Sequence, residues 1–204
     1  MTIEKGQPWG EAASLPDDGV VVASDAEARR VLERARSDRR PFPVLGLVGG
    51  DLWRTLGGSG TSDRDRLRSS EAMTFTVDLG EVLVDGRLHL FLAHLVAHSA
   101  SWRRAVVAMN AQWRGPWDLA PRSHPNDGLL DTYDARLPLA DLWKVRARVA
   151  SGSHLPHPGI KERRVAALQV DLKPALAVSL DGENVGKGRS LAIRVAPDAV
   201  TVVV

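Results

Sequence analysis

The segment AMTFTVDLGEVLVDGRLHLFLAHLVAHS, residues 72 to 99, alternates apolar and polar side chains with a period of two. Met73, Phe75, Val77 and Leu79 fall on one face, and Asp85-Gly86 separates VLV from RLHLFLA as a two-residue hairpin turn. The buried register is expected to switch at that turn. SWRRAVVAMNAQWRG adds an apolar run, and Leu129 to Tyr133 begins another strand. RRVAALQVDLK, ALAVSLDGE, RSLAIRVA and AVTVVV then read as four short strands at even spacing. So many alternating faces are buried most simply when antiparallel sheets pack face to face. The expected fold is mainly β (α+β), an antiparallel β-sandwich with one or two short helices.

Composition narrows the function classes. The chain has 204 residues, enough for a substantial core, and no cysteine, which excludes disulfides, thiolate metal sites and a Cys nucleophile. Twenty-seven Lys and Arg stand against 25 Asp and Glu, so net charge gives no reason to expect nucleic acid. RRAVVAMNAQWRGPW does combine Arg103, Arg104 and Arg114 with Trp113 and Trp117, but the other strands carry no basic stripe. No stretch approaches the roughly 18 apolar residues of a membrane span, and the start lacks a basic segment followed by an apolar run. A cytoplasmic protein is expected, one that is peripheral at the membrane if it binds lipid.

The first part of the chain is less regular. Residues 1–18 are polar and turn-rich and read as a flexible arm. Residues 19–43 read as a short strand, GVVVAS, and a helix, AEARRVLERARSDRR, capped by Asp25 and ended by Pro41 and Pro43. Ala26, Val31, Leu32 and Ala35 share its inner face. VLGLVG is a buried strand and Leu52 to Leu56 one helical turn. A later helix, Leu139 to Val149, is expected to face the core with Leu142, Val145 and Val149.

Four segments, in order, resemble one known family: GLVGGDLWRTLGG (46–58), FTVDLGEVLVDGRLHLFLA (75–93), NAQWRGPWDLAPRSHPNDGLLD (110–131) and VSLDGENVGKG (178–188), followed by Pro-x-Ala-Val at 197–200. They are similar to the C-terminal β-sandwich domain of the diacylglycerol kinase, sphingosine kinase and bacterial lipid kinase family, across residues 44–204. The resemblance implies a preceding α/β domain whose Gly-Gly-Asp-Gly-Thr loop cradles ATP phosphates, with lipid entering between the domains. Here Gly49-Gly50-Asp51 runs into Leu52-Trp53, and Val48 and Gly50 stand where the family has threonine and asparagine. Only about 45 residues precede this motif, against roughly 100 or more for a mononucleotide-binding unit. The expectation is a lipid-kinase-like protein lacking most of the ATP-binding domain, a non-catalytic lipid- or partner-binding module, with residues 19–43 a remnant or replacement. The alternative is an ATP-dependent lipid kinase, alone or with a separate nucleotide-binding subunit. A structural homo-oligomer is a third class.

The resemblance also marks site residues. Glu183, in Asp181-Gly182-Glu183, implies a general base for a lipid hydroxyl; the same three residues also make a hairpin turn. Asp51, the second catalytic candidate, is either a phosphate-side metal ligand through water or the cap of the LWRTL turn, and Gly49, Gly50 and Arg54 are the cofactor-binding candidates. In HPNDGLLDTYDARLP (124–138), Asp127 either makes an Asx-type turn or holds Mg2+ together with the backbone carbonyl of Leu129. ATP enters only with the kinase reading. His89 faces away from His94 and His98 in a strand, so the three do not converge on zinc. Trp102, Trp113, Trp117 and Trp143 either line a lipid cleft or span core and rim.

Overall fold

The computed structural model describes residues 9–60 and 64–204. The elements in the first part are β1 (Glu11–Ala12), β2 (Val20–Val22), α1 (Asp25–Ser37), β3 (Leu45–Leu47) and α2 (Asp51–Thr55). Then come β4 (Met73–Val84), β5 (Arg87–Phe91), β6 (His94–His98), β7 (Arg104–Met109), β8 (Trp113–Arg114), β9 (Trp117–Asp118) and β10 (Leu130–Arg136). The chain ends with α3 (Leu139–Val149), β11 (Ile160–Val165), β12 (Ala167–Leu180) and β13 (Glu183–Val203). Eleven strands share one sheet in the order β1-β4-β13-β12-β6-β7-β10-β11, with β5 added to β4, and β3 and then β2 added to β13. Pairing is antiparallel except at β2–β3 and β3–β13. The sheet curls around a core that includes Val82, Phe91, Leu95, Val106, Val178 and Ile193. This is a mixed α+β, sandwich-like fold dominated by antiparallel strands, as expected.

Asp85 and Gly86 have φ of +50° and +85°, the two left-handed residues that match a tight turn to strand twist. The buried face changes earlier, inside β4. Phe75, Val77 and Leu79 pack in one core and Val82 and Val84 in another, so alternation places the two sets on opposite faces and one strand serves two cores. The expected switch at the turn is thus corrected to Gly80–Glu81. The same device operates in β13, where a register shift between Ala196 and Val200 separates Ile193 and Val195 from Val200 and Val202.

The four C-terminal runs are three strands. RRVAALQVDLK is split between β11 and the start of β12, and ALAVSL continues β12 past a bulge; β13 unites RSLAIRVA and AVTVVV. A bulge bends a strand without ending its ladder, which local spacing does not distinguish from a turn.

The second core lies under the N-terminal elements. β2, α1 and β3 form a crossover unit whose Val22, Leu32, Leu45 and Leu47 pack with Leu52, Val77 and Val202. β3 pairs with β13 through Val202 opposite Leu45, which covers that strand edge. Residues 9–18 are tied down as well: Glu11 and Ala12 pair with Thr74 and Met73, and Leu15 is buried. The expected flexible arm is corrected for this stretch; residues 1–8 lie outside the described residues.

Gly80 faces Phe91 directly across the β4–β5 ladder, and a Cβ there would lie 2.1 Å from the ring. Gly80→Ala is expected to destabilise the fold by about 1–3 kcal/mol in denaturant titrations. Combining it with Phe91→Leu should remove part of that loss, giving a non-additive double-mutant cycle.

Candidate functional site

The inner stripe of α1 carries Asp25, Ala28, Arg29 and Leu32, so two charged residues are buried at a protein junction. Ser24 caps α1: its Oγ accepts the Glu27 N–H at 3.2 Å, while Glu27 Oε2 accepts the Ala23 N–H at 2.8 Å. This capping box frees Asp25, correcting its expected role. Asp25 instead accepts the N–H groups of Asp51 (2.5 Å) and Leu52 (3.2 Å), the unsatisfied donors that open α2.

Gly49 and Gly50 follow from that close approach. A Cβ on Gly50, whose φ is +104°, would meet Asp25 Oδ1 at 2.6 Å; one on Gly49 would meet the Ala23 carbonyl oxygen at 2.6 Å. The Asp51 side chain does not cap the turn, one of its two expected roles: Oδ2 lies 2.9 Å from His94 Nε2 and Oδ1 accepts the Gly115 N–H at 2.7 Å. Arg54 lies 3.5 Å over the Trp113 ring and donates to the Gly115 carbonyl at 2.8 Å. These contacts dock the β8–β9 hairpin onto α2.

Asp181 sits at the far side of the junction. Its carboxylate accepts N–H groups from Leu92, Ala93 and His94 at 2.8–3.0 Å. Arg29 Nε is 3.9 Å away, while its other nitrogens reach Glu183 (2.6 Å) and Glu33 (3.0 Å). Glu183 is held by Arg29 and Arg30 together. The structure therefore gathers Asp51 and Glu183 around one junction, with Asp25, Arg29, His94 and Asp181 added. Burial raises the Asp181 carboxyl above its usual range, against the pull of His94 and the three N–H donors. Burial, followed by the charge of Asp181, raises Asp25 to about 7 despite its own two donors.

Asp127 lies away from this junction and makes the turn. Its Oδ1 accepts the Leu129 N–H at 3.0 Å, with Gly128 at φ +70°. Its Oδ2 pairs with Arg164, whose Nε is 3.4 Å from Asp131 Oδ1. Burial raises Asp131 to about 6, with Arg164 opposing. Asp78 is engaged too, accepting from Gly128 (2.7 Å) and Asp198 (2.9 Å). The Arg164 guanidinium thus lies beside both Asp127 and Asp131. Among the described residues no three His, Asp or Glu side chains gather as a metal site.

An apolar groove of about 380 Å³ runs between α3 and the outer face of β6, β7 and β10. Val107, Tyr133 and Ala135 form its floor, Leu142 and Val145 its roof, and Trp102 and Trp117 its sides. Two of the four expected cleft tryptophans thus form its sides, Trp143 joins them on α3, and Trp113 lies instead under Arg54. Arg114 and Arg146 also line the groove, each with its guanidinium 5.4 Å from the Trp117 ring centre. Burial lowers the Arg114 pKa, with Asp51 opposing. The β8–β9 hairpin is therefore shared: one side braces the carboxylate junction and the other walls the groove.

Residues 68–204 match the model of the YegS C-terminal NAD kinase beta sandwich-like domain. The chain belongs to that family. Three solved structures from Bacillus anthracis str. Sterne, named as diacylglycerol kinases, the first two provisionally, share the fold at 14% identity. Their TM-scores are 0.67, 0.64 and 0.58; each alignment covers 91% of this chain and, in the same order, 77%, 77% and 75% of the other. A search of curated proteins found no match. The YegS-type match contains Asp127, Glu183 and the whole groove, whereas Asp51 and α1 precede it.

Sequence reasoning overlooked Arg29, Arg164 and the partners of Asp181. Ser24-x-x-Glu27 was the available signal that Asp25 has another partner. For the arginines no local signal pointed to Glu183 or Asp127, since these acceptors are distant in sequence.

A carboxyl with a raised folded pKa binds protons more tightly in the native state. Its stabilisation is complete below the unfolded value of 3.8 and is lost as pH rises through about 7. Unfolding free energy should therefore fall between about pH 4 and 7, and Asp25→Asn should reduce that slope by ~1 kcal/mol or more across the window. Urea titrations at a series of pH values measure it; an unchanged slope would contradict the raised Asp25 pKa.

Proposed function

We propose that this chain is a lipid-kinase-like module that binds lipid and does not itself transfer phosphate. The observation that carries the reading is the groove. Its volume lies in the range of small-ligand pockets, about 300–1,000 Å³, and its lining is almost wholly apolar. An acyl chain fits such a lining because it gains from leaving water and asks for no polar partner.

The junction supports the non-catalytic half of the reading. Phosphates favour helix N-termini, but at α2 the two first donors already serve Asp25. Asp51, Asp181 and Glu183 add further negative groups, and the two guanidiniums nearest Glu183 are paired with it. For Glu183 to act as general base it would have to leave Arg29 and Arg30. No described helix is long and apolar enough to cross a membrane.

Calorimetry of the purified chain with a diacylglycerol-type lipid in mixed micelles and, separately, with ATP-magnesium tests the reading. Lipid should bind and ATP-magnesium should not. Ala135→Trp, which fills the groove floor, should weaken lipid at least tenfold while leaving the thermal midpoint within a few degrees. Tight ATP-magnesium binding, or phosphorylation of the lipid by the chain alone, would overturn the proposal in favour of a lipid kinase.

A further inference from the structure

Helix α3 has two apolar faces, and only one of them is covered. Leu142 and Val145 pack over Ala105, Ala135 and Leu137, and Val149 on the same side of the helix is buried. On the other side Trp143 is 73% exposed and Leu139 is 57% exposed, the two most exposed large apolar side chains among the described residues. Their i, i+4 spacing stacks them on one face, and Ala147 continues it.

Basic residues flank this stripe. At 100° per residue, Arg146 lies on its groove side and Lys144 and Arg148 on its other side. Across residues 136–148 there are four basic side chains, Arg136 among them, and one acidic side chain, Asp141. A chain whose total charge is only +2 thus concentrates positive charge beside its most exposed tryptophan. The stripe is also continuous with the groove, since Trp143 and Arg146 line it.

We infer that the outer face of α3 docks on an anionic lipid bilayer. Trp143 and Leu139 enter the interfacial layer, where an amphipathic indole is favoured, while Lys144, Arg146 and Arg148 meet lipid phosphates. Eleven residues lie along the surface rather than across it. The groove mouth is then held at the bilayer, so an acyl chain passes into it without crossing water. That last consequence rests on the lipid-binding reading; the docking does not.

The test is co-sedimentation of the full chain with vesicles of phosphatidylcholine alone or mixed with phosphatidylglycerol, at low and high salt. Binding should require the anionic lipid and weaken with salt. Lys144→Gln with Arg148→Gln should lower it roughly fivefold per charge. Leu139→Ser should lower it further, and none of these should change affinity for lipid in neutral micelles, because none of the three residues lines the groove. Ala135→Trp should show the reverse, with vesicle binding kept and micellar lipid binding lost, which separates failure of docking from failure of lipid binding. The proposal is overturned if anionic vesicles do not bind, if neutral vesicles bind equally, or if the variants leave binding unchanged. It is equally overturned if Leu139→Ser only dissolves a dimer seen by sedimentation velocity, which would assign the stripe to a second copy of the chain.

Discussion

The buried carboxylate of Asp181 ties together three parts of the chain that are far apart in sequence. A carboxylate removed from water must have its oxygens satisfied, and here three successive N–H groups at the β5–β6 bend satisfy them. Those bonds fix the path of residues 92–94 and place His94 against Asp51. Arg29 approaches from α1 and carries the attachment on to Glu183. The β12–β13 hairpin, the β5–β6 bend and the N-terminal helix thereby become one polar joint, sitting where the two hydrophobic cores meet.

Two of the joint's carboxylates, Asp25 and Asp181, lie close enough that the charge of Asp181 raises the cost of ionising Asp25. The arrangement is tolerated because backbone donors, not only charged partners, absorb the negative charge. One consequence reaches the groove. Asp51 holds Gly115 and so orients the β8–β9 hairpin, whose Arg114 and Trp117 form one wall of the apolar cavity. A change of protonation in the joint therefore has a short structural path, a single hairpin, to the apolar groove.

Much of the secondary structure was legible locally. The alternation of β4 and β5, the Asp-Gly turns at 85–86 and 181–182, the apolar strand at 45–47 and the helix at 139–149 all express short-range rules of side-chain period and turn sterics. Strand continuity was not, since a bulge in β12 or β13 has the same local signature as a loop. Nor were polar partners: Asp25 beside a helix start reads as that helix's cap, yet it opens a different helix 26 residues away. Asp127 was legible in half, as a turn, while its pairing with Arg164 depends on β10 and β11 lying side by side.

From the sequence by itself came the class of fold, the family likeness and the positions of most turns, because backbone period and φ preference act over a few residues. Only the tertiary structure decided which face each strand buries, which carboxylates share a joint and that α3 stands off the sheet far enough to leave a groove. Those outcomes depend on the packing of residues as far apart as Arg29 and Glu183 or Leu45 and Val202, where burial and hydrogen-bond satisfaction are settled jointly and no local pattern records the partner.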